Sequence, residues 1–326
     1  MKRRKFIGAI TTSIIAVSST VKAQTIGQVR RIGWLWNQAP LTAAEFKQHT
    51  INLRALGWIE GQNLVIEQRY TNGNANLLPS LTEELVRLKV EIIVAEGTVV
   101  ALAAKNVTNA IPIVVARSGD PVRAGLVTSL ARPGGNITGT STISPDLDYK
   151  RFQILHELLP TAQRIAELVV PANPIDRVTR AERERLLSPL GMQPVFVEVA
   201  HSSDLENAVT EAARRGAQVL HVSAEPLLGS NFALIMSSAQ KYSLPTMVDN
   251  THFVELGGLF AYGPDYDELD RQLAFVIDKI LRGAKPADLP IQQPSKFEFA
   301  VNIKTAKAFR ITIPQSLVLR ADKVIQ

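Results

Sequence analysis

The segment from residue 91 to residue 121 constrains the fold of this chain more than any other. It opens with an apolar run at 92–95 that is too short for a helix and rich in β-branched residues. Such a run predicts a strand buried on both faces of a parallel sheet. A helix and a second buried strand at 113–116 follow, so the segment forms a strand–helix–strand crossover. Ligands of open parallel sheets bind beyond the carboxyl ends of the strands, so we expect a binding site in the two turns, 96–98 and 117–121.

The same alternation of strands and helices continues along the rest of the 326-residue chain. It gives about ten strands, which are too many for one doubly wound domain of this length. We therefore predict an α/β fold of two Rossmann-like lobes with parallel sheets, in which the chain changes lobe near Thr140 and again near Tyr262. A single α/β barrel is the alternative, but the glycine pairs at 134–135 and 257–258 are more typical of transits between lobes than of barrel loops.

Residues 1–23 have the pattern of an export signal peptide rather than of folded structure. A cationic start at 2–5 precedes an apolar stretch at 6–17, and the residues at 21–23 fit a cleavage site. The apolar stretch is shorter than the ~20 residues that a membrane span needs, so we predict cleavage and a periplasmic location. The run at 3–7 is similar to a twin-arginine signal, which leaves both the Sec and the twin-arginine routes open.

Charge and cysteine content exclude several kinds of function. The chain has 36 basic and 30 acidic residues, a net charge of +6, but five of the basic residues precede residue 24. Without those five, 31 basic residues face 30 acidic ones, a net charge of +1. This balance gives no reason to expect nucleic acid or an anionic membrane surface as a partner. The absence of cysteine excludes disulfides, thiolate metal sites and a cysteine nucleophile.

The sequence has no motif that indicates a metal, a cofactor or a known catalytic centre. Its five histidines are scattered without metal-ligand spacing, so we expect no metal site. No G-x-G-x-x-G follows a predicted strand, and neither a P-loop nor a G-x-S-x-G elbow occurs, so we expect no cofactor. Residues from distant turns can still converge on a catalytic site, which keeps an enzyme on this scaffold as an alternative.

Six short motifs are spread over nearly the whole chain after residue 24: LGWIEGQNL at 56–64, LARPGGNITG at 130–139, GGL at 257–259, YGP at 262–264, KPADLP at 285–290 and ADKVI at 321–325. Together they resemble the motifs of ABC-transporter substrate-binding proteins of the tryptophan/tyrosine-type branch, which have the type I periplasmic-binding-protein fold. The resemblance implies two lobes joined by three hinge crossings, which close around a small solute. It also implies delivery of the solute to a membrane permease that a separate ATPase drives.

The strand pattern and the resemblance together predict where the lobes begin and end. Residues 24–140 and 263–292 form lobe 1, and residues 141–262 and 293–326 form lobe 2. We expect a monomeric, non-enzymatic, periplasmic component of an ABC import system that closes on a small polar solute such as an amino acid. The alternative functions are an exported two-lobed sensor domain and an enzyme on the same scaffold.

Small polar residues in the strand-end turns of lobe 1 are candidate ligand contacts. Gly97 and Thr98 can hold a carboxylate with helix N-terminal amides and a hydroxyl, and Ser118 or Asp120 can meet an ammonium or hydroxyl group. Helix capping is the alternative role of Thr98 and Asp120. Glu96 departs from the small turn residues of the family, and an acidic side chain there can change the charge preference for the ligand.

Lobe 2 offers Asn173, Glu225 and Asn250 at corresponding strand ends, where each can line the cleft or act as an ordinary turn residue. Trp36 and Tyr262 can stack on a flat ligand, with core packing as an equal alternative. The candidate ligand-binding residues are therefore Trp36, Asn37, Gly97, Thr98, Ser118, Asp120, Asn173, Glu225, Asn250 and Tyr262.

Overall fold

The computed structural model describes residues 29–142 and 147–326, so the predicted signal peptide at 1–23 lies outside the described residues. The first part of the chain alternates strands and helices, and its short apolar runs form strands. The elements are β1 (Arg30–Trp36), α1 (Ala43–Ala55), β2 (Leu64–Tyr70), α2 (Leu78–Arg87), β3 (Ile92–Glu96), α3 (Gly97–Val107), β4 (Ile113–Ser118) and β5 (Ile137–Ser141).

The alternation restarts after β5 and continues to the end of the chain. Single 3-10 turns at Ala75–Leu77, Ser188–Leu190, Ser202–Asp204 and Pro286–Asp288 join some of the elements. The elements of this part are α4 (Leu147–Leu158), β6 (Arg164–Val169), α5 (Pro174–Val178), α6 (Arg180–Leu187), β7 (Gln193–Glu198), α7 (Leu205–Arg214), β8 (Val219–Val222), α8 (Pro226–Ser230), α9 (Phe232–Lys241), β9 (Thr246–Val248), α10 (His252–Glu255), β10 (Phe260–Pro264), α11 (Tyr266–Leu281), β11 (Phe297–Asn302), α12 (Ile303–Ala308), α13 (Gln315–Arg320) and β12 (Lys323–Ile325).

The strands form two separate sheets. The first has five parallel strands in the order β2-β1-β3-β4-β5, and the second has seven strands in the order β12-β11-β10-β9-β8-β6-β7. Neighbours in the second sheet are parallel except β10 and β11, which pair antiparallel. Each sheet is the centre of one lobe. The predicted α/β fold with two parallel-sheet lobes is therefore confirmed.

Both faces of the first sheet are buried, which explains the continuous apolar runs of its strands. Ile32 and Trp34 pack with α1 and α11 on one face, while Leu35 and Ile93 pack with α2 and α3 on the other. Successive residues of a strand point to opposite faces, so Trp34 and Leu35 belong to different cores. This double covering leaves the strand ends as the accessible part of the sheet.

The chain crosses between the lobes three times. It leaves the first sheet after β5, and it returns after β10 because α11 packs against α1, β4 and β5. Residues 282–296 then lead back to β11. The first and third crossings are joined, since Ser141 N donates to Gln292 O (2.8 Å) and Gln292 N donates to Gly139 O (2.8 Å). The exact lobe boundaries remain a proposal, and β10 pairs with β11 as far as Pro264, just inside the segment assigned to lobe 1.

The helix expected at 121–130 is wrong, because this segment consists of turns. The carboxylate of Asp120 accepts hydrogen bonds from the backbone N–H groups of Val122 (3.1 Å) and Arg123 (2.9 Å), which fixes a turn. Gly125 then adopts φ of 71°, a left-handed conformation that interrupts a right-handed helix. Asp120 therefore caps a turn and not a helix.

Other differences are smaller. No turn separates β3 from α3, because Gly97, with φ of 82°, begins the helix directly after Glu96. The single helix expected at 177–190 is divided into α5, α6 and a 3-10 turn, and the short strand β12 at the end of the chain was not anticipated.

Candidate ligand-binding cleft

The facing ends of the two lobes enclose a cleft that is divided into two chambers. The larger chamber has a volume of about 310 Å³ and the smaller chamber a volume of about 160 Å³. Residues of both lobes line each chamber, and Gly97, Arg117, Glu225, Pro226 and Tyr266 contribute to both. Gly97 approaches Pro226 so closely that a Cβ atom at position 97 would lie 2.9 Å from Cγ of Pro226. The lobes therefore touch across the cleft at the boundary between the chambers.

A separate groove of about 490 Å³ lies at the amino ends of β6, β8 and β9, where Ala162, Gln218 and Pro245 contribute to its wall. Its lining residues all lie in the part of the chain that follows β5, so the approach of the two lobes does not enclose it. Parallel sheets bind ligands at the opposite, carboxyl ends of their strands. The cleft is therefore the candidate ligand site.

In lobe 1 the ends of β3 and β4 present hydroxyl and backbone groups toward the larger chamber. α3 begins at Gly97, and no side chain caps its first turn. The Oγ atoms of Thr98 and Ser118 lie 3.0 Å apart, and Gly119 N donates to Oγ1 of Thr98 (3.3 Å). Uncapped N–H groups at the start of a helix attract anions, so this corner can hold a carboxylate.

Glu96, the acidic residue at the end of β3, is bound within lobe 1. Its Oε1 accepts from Nε1 of Trp34 (3.0 Å) and its Oε2 accepts from Nη2 of Arg117 (2.8 Å). Arg117 also donates from Nη1 to Oδ1 of Asp270 (3.0 Å). Burial opposes the charge of Arg117, but the two carboxylates outweigh it and raise the pKa of Arg117 above its usual value. The charge of Glu96 is thus offset inside lobe 1, and its influence on a ligand is correspondingly weak.

In lobe 2 two acidic side chains line the larger chamber with no basic side chain at ion-pair distance among the described residues. Glu225 is 9% exposed, and its Oε2 accepts from Nδ2 of Asn173 (3.0 Å). Burial and the nearby charge of Asp176 raise the pKa of Glu225 to about 8. Burial also raises the pKa of Asp176 to about 6, although its Oδ2 accepts a hydrogen bond from Val170 N (2.6 Å).

Behind these two acids, His221 lies between two buried carboxylates. Its Nδ1 is 2.7 Å from Oε2 of Glu167, and its Nε2 is 2.8 Å from Oδ1 of Asp249. Burial alone would lower the pKa of His221, but the two carboxylates outweigh it and raise the pKa to about 9. The imidazole is therefore positively charged at neutral pH and neutralises part of the acidic charge around it.

Arg151 connects this buried group to the crossings between the lobes. Its Nε donates to the carbonyl oxygen of Tyr262 (2.7 Å), in the middle of β10, the strand that precedes the second crossing, and lies 3.1 Å from Oδ1 of Asp249. Its Nη1 and the Nη1 of Arg183 each lie 2.9 Å from Oδ1 of Asp148. Burial opposes the charge of Asp148, but the two guanidinium groups outweigh it and lower the pKa of Asp148 well below its usual range. The balanced network comprises three basic and three acidic side chains, Arg151, Arg183, His221, Asp148, Glu167 and Asp249.

The smaller chamber has aromatic walls. Trp36, His49, Phe253 and Tyr266 contribute to its lining. The ring of Trp36 stacks on Tyr70 with 6.0 Å between centroids, and the His49 ring meets it edge-on at 4.9 Å. Burial lowers the pKa of His49, which favours the neutral imidazole. This chamber can receive a flat or apolar part of a ligand.

An ion pair joins the lobes at the rim of the larger chamber. Nη1 of Arg123 donates to Oε2 of Glu182 (2.8 Å), and Nε of Arg123 lies 3.5 Å from Oδ2 of Asp120. The Arg123 side chain is 52% exposed, so we expect a contribution of about 0–1 kcal/mol to closure of the cleft.

The structure brings most of the predicted site residues together. Ser118 lies behind Thr98, and Asn37 does not line either chamber, because its Oδ1 accepts from Oγ1 of Thr71 (2.7 Å). The predicted residues that line a chamber are Trp36, Gly97, Thr98, Asp120, Asn173, Glu225 and Asn250.

Of the two positions predicted for Tyr262, ligand stacking and core packing, the structure shows core packing. Its ring stacks on Phe297, with 6.3 Å between centroids, and packs against the core of lobe 2 rather than lining either chamber. Tyr266, four residues further along the chain, lies in the cleft instead. Tyr262 lies within β10 and Tyr266 begins α11, so both are close to one strand–helix junction, and the residue sequence alone does not distinguish them.

Sequence reasoning also missed the charged residues of lobe 2, although two of them carried a detectable signal. Arg151 lies four residues from both Leu147 and Leu155, on the buried stripe of α4. His221 is the only polar residue of β8, in which every residue is buried. A charged or titratable residue at an apolar position of the pattern indicates a buried polar network.

Residues 29–142 and 147–326 contain neither a metal site nor a membrane-spanning helix. No group of three or more His, Asp or Glu side chains there is arranged to hold a metal ion. No helix in the same residues combines the length and the apolar character that a membrane crossing requires.

A two-lobed α/β structure with a solute-sized cleft at the carboxyl ends of its sheets defines the class of two-lobed solute-binding proteins. Residues 48–325 match the family model of the ABC transporter substrate binding protein, and the chain belongs to this family. It is therefore the solute-binding component of an ABC system.

Individual relatives agree with this assignment. The chain is 27% identical, over 253 residues, to a tyrosine-binding protein of Clostridioides difficile, which covers 77% of this chain and 72% of the relative. It is 26% identical to an ABC domain from Streptococcus pneumonia in complex with L-Trp, with a TM-score of 0.82 and coverage of 91% of this chain and 99% of the other. A conserved domain protein from Vibrio cholerae is 25% identical, also with a TM-score of 0.82, and covers 91% and 100% of the two chains.

Proposed function

We propose that the protein is an exported, periplasmic component of an ABC import system that closes on an amino acid and presents it to a membrane permease. Its role is binding rather than catalysis, and it acts as a monomer. One observation carries this proposal: an anion-binding corner of lobe 1 faces a pair of acidic side chains of lobe 2 across a chamber of about 310 Å³. Groups of opposite character on opposite lobes fit a zwitterion held between them.

The two ends of an amino acid have complementary places in this cleft. The α-carboxylate lies at the start of α3, where Thr98 and the first-turn N–H groups receive it. The α-ammonium lies against Glu225, which Asn173 orients. The side chain extends past the contact between Gly97 and Pro226 toward the aromatic smaller chamber. The tyrosine-binding and L-Trp-bound relatives support an amino acid as the ligand class.

Closure follows from the position of the ligand between the lobes. A solute that contacts α3 on one side and Glu225 on the other binds the closed form better than the open form, because only the closed form supplies both contacts. The permease then distinguishes loaded from empty protein by the relative position of the lobes.

The ligand proposal is tested by titrating purified protein with the standard amino acids in a calorimeter and by measuring X-ray scattering with and without each binder. We expect at least one amino acid to bind and to reduce the radius of gyration. The variant Thr98→Val removes one hydroxyl from the carboxylate corner and should weaken binding about 10-fold. The control Thr50→Val, on α1 outside the cleft, should leave affinity unchanged. Binding without compaction, or no binding to any amino acid, would contradict the proposal.

Export is tested by fractionating cells that produce the full chain. We expect the protein in the periplasmic fraction, with a new N-terminus at residue 24. Replacing both Arg3 and Arg4 by lysine blocks the twin-arginine route and leaves the Sec route open, so the variant assigns the route. Full-length protein confined to the cytoplasm would refute the export proposal.

A further inference from the structure

The charges around the larger chamber do not balance, and the excess is acidic. Asp148 is paired with Arg151 and Arg183, and Asp249 is paired with Arg151 and His221. The described residues place no lysine, arginine or histidine within ion-pair distance of the two remaining acids, the buried Glu225 and the partly buried Asp176. Asp176 and Glu225 therefore remain without a cationic partner once the ion pairs of the lobe 2 network are assigned.

Glu225 is buried and can still accept a hydrogen bond from a ligand. It is 9% exposed, lines both chambers, and uses only Oε2 in its hydrogen bond with Asn173. Within the described part of the chain, its second oxygen, Oε1, has no hydrogen-bond partner. Asp176 lines the same chamber, close enough for its charge to raise the pKa of Glu225. A buried carboxylate with a free oxygen gains most from a cation.

In the described residues four arginines line the larger chamber, Arg117, Arg123, Arg151 and Arg183, and each is already paired with carboxylates. Arg117 is held by Glu96 and Asp270, and Arg151 and Arg183 are held by the lobe 2 network. A ligand carboxylate is therefore received by the neutral donors at the start of α3, and it adds to the acidic excess. The raised pKa values of Glu225, about 8, and of Asp176, about 6, reflect the same excess in the absence of ligand.

We propose that the solute carries more positive than negative charge, as the diamino and guanidino amino acids do. This inference rests on the proposed function and specifies its ligand class: the α-ammonium and a second cationic group meet Glu225 and Asp176. A neutral aromatic amino acid supplies only one cation and leaves one of the two carboxylates without a cationic partner.

Matched ligands test the charge directly. L-Arginine and L-citrulline have nearly the same shape and differ in one positive charge, and L-lysine and L-norleucine form a second such pair. We expect the affinity of each charged member to be at least about 10-fold higher than that of its neutral partner. The neutral partner cannot form a charge-assisted hydrogen bond with the carboxylates of the chamber. Agmatine, which has the guanidinium of arginine but no carboxylate, tests whether the cation suffices.

Substitution of Glu225 tests whether this residue causes the preference for the positively charged ligand. In Glu225→Gln we expect both affinities to fall, because both ligands lose the carboxylate that meets their α-ammonium. The ratio of arginine to citrulline affinity should fall toward one, because the acidic excess that favours a second cation is reduced by one charge. Glu211→Gln, an exposed residue of α7 that pairs with Arg214, makes the same change in net charge and should preserve the ratio. Thermal unfolding of both variants verifies that they fold.

The possible results distinguish failure of the cationic ligand class from failure of the proposed amino-acid binding function. Equal binding of arginine and citrulline, an unchanged ratio in Glu225→Gln, or binding of neutral amino acids alone would overturn the inference and leave an amino-acid binding protein in place. Binding of agmatine without arginine would keep the cationic class and overturn the amino-acid ligand. Binding of neither charged series would overturn the inference.

Discussion

The two faces of the cleft use charge in different ways. On lobe 1, Arg117 sits between Glu96 and Asp270, and the ligand is offered backbone N–H groups and hydroxyls. On lobe 2, a balanced charge network, four of whose members also line the larger chamber, adjoins Asp176 and Glu225, which have no basic side chain at ion-pair distance among the described residues. Lobe 1 is therefore suited to position a ligand through neutral donors, and lobe 2 to select it by charge. Substitutions on the two faces should accordingly have different kinds of effect.

The largest effect should come from His221→Leu in lobe 2. The substitution removes the cation between Glu167 and Asp249 and leaves two buried carboxylates facing each other. We expect the free energy of unfolding to fall by about 3–5 kcal/mol, measured by urea denaturation. The exposed His252→Leu should change it by less than about 0.5 kcal/mol. Similar losses in the two variants would show that the lobe 2 network is not structural.

The titration of His221 and Glu225 in lobe 2 should make the stability of the protein depend on pH. The pKa of His221 rises from 6.5 to about 9 in the folded protein, so its stabilisation is complete below pH 6.5 and is lost as the pH rises through 9. Glu225, raised from 4.5 to about 8, also binds its proton more tightly when folded, so its ionisation destabilises the fold over pH 4.5–8. We expect the free energy of unfolding of the unliganded protein to fall from pH 6.5 to pH 9. Denaturation at several pH values should give a flatter profile for His221→Leu and for Glu225→Gln.

In lobe 1, Glu96→Gln should affect stability more than charge selection. The isosteric amide leaves Arg117 with Asp270 as its remaining carboxylate, and we expect a loss of about 1–3 kcal/mol in urea denaturation. The ratio of affinities for arginine and citrulline should stay within about 3-fold of the wild-type ratio. A ratio that collapses as it does in Glu225→Gln would abolish the distinction between the two faces.

Gly97→Ala should act on closure, where the two faces meet. An alanine at φ of 82° is strained, and its Cβ would lie 2.9 Å from the rigid ring of Pro226. We expect about 10-fold weaker ligand binding and a smaller compaction in X-ray scattering. Gly57→Ala has a similar backbone cost at φ of 92° but no atom within 4 Å of the added Cβ, so it should leave binding unchanged.

The smallest effect should come from Arg123→Ala, which removes the exposed ion pair with Glu182 between the lobes. We expect a decrease in affinity of at most about 5-fold, which disappears at 1 M salt because exposed charges are screened. Calorimetric titrations at low and high salt provide the measurement. A larger loss that persists in high salt would assign Arg123 to the ligand site itself.

The sequence predicts the architecture far better than the details of the site. Buried parallel strands such as β3 are recognisable because both faces demand apolar residues, and the two-lobed α/β fold is confirmed. The prediction of a helix after Asp120 is wrong because the Asp120 carboxylate accepts hydrogen bonds from Val122 N and Arg123 N, which fix a turn, and because Gly125 is left-handed. Tyr266, rather than Tyr262, lines the cleft, and this depends on how a helix of one lobe meets a strand of the other. The assignment of ligand contacts stays a prediction.

The paired first and third crossings restrict how the lobes can move. Gln292 is hydrogen-bonded to both Ser141 and Gly139, so these two segments form a ribbon whose strands bend together. The second crossing is a single residue, Asp265, which keeps the lobes from sliding apart at that point. We expect these connections to favour rotation about one axis near the ribbon over translation of one lobe past the other. The same two surfaces then meet on every cycle of opening and closing, without a search over alternative orientations.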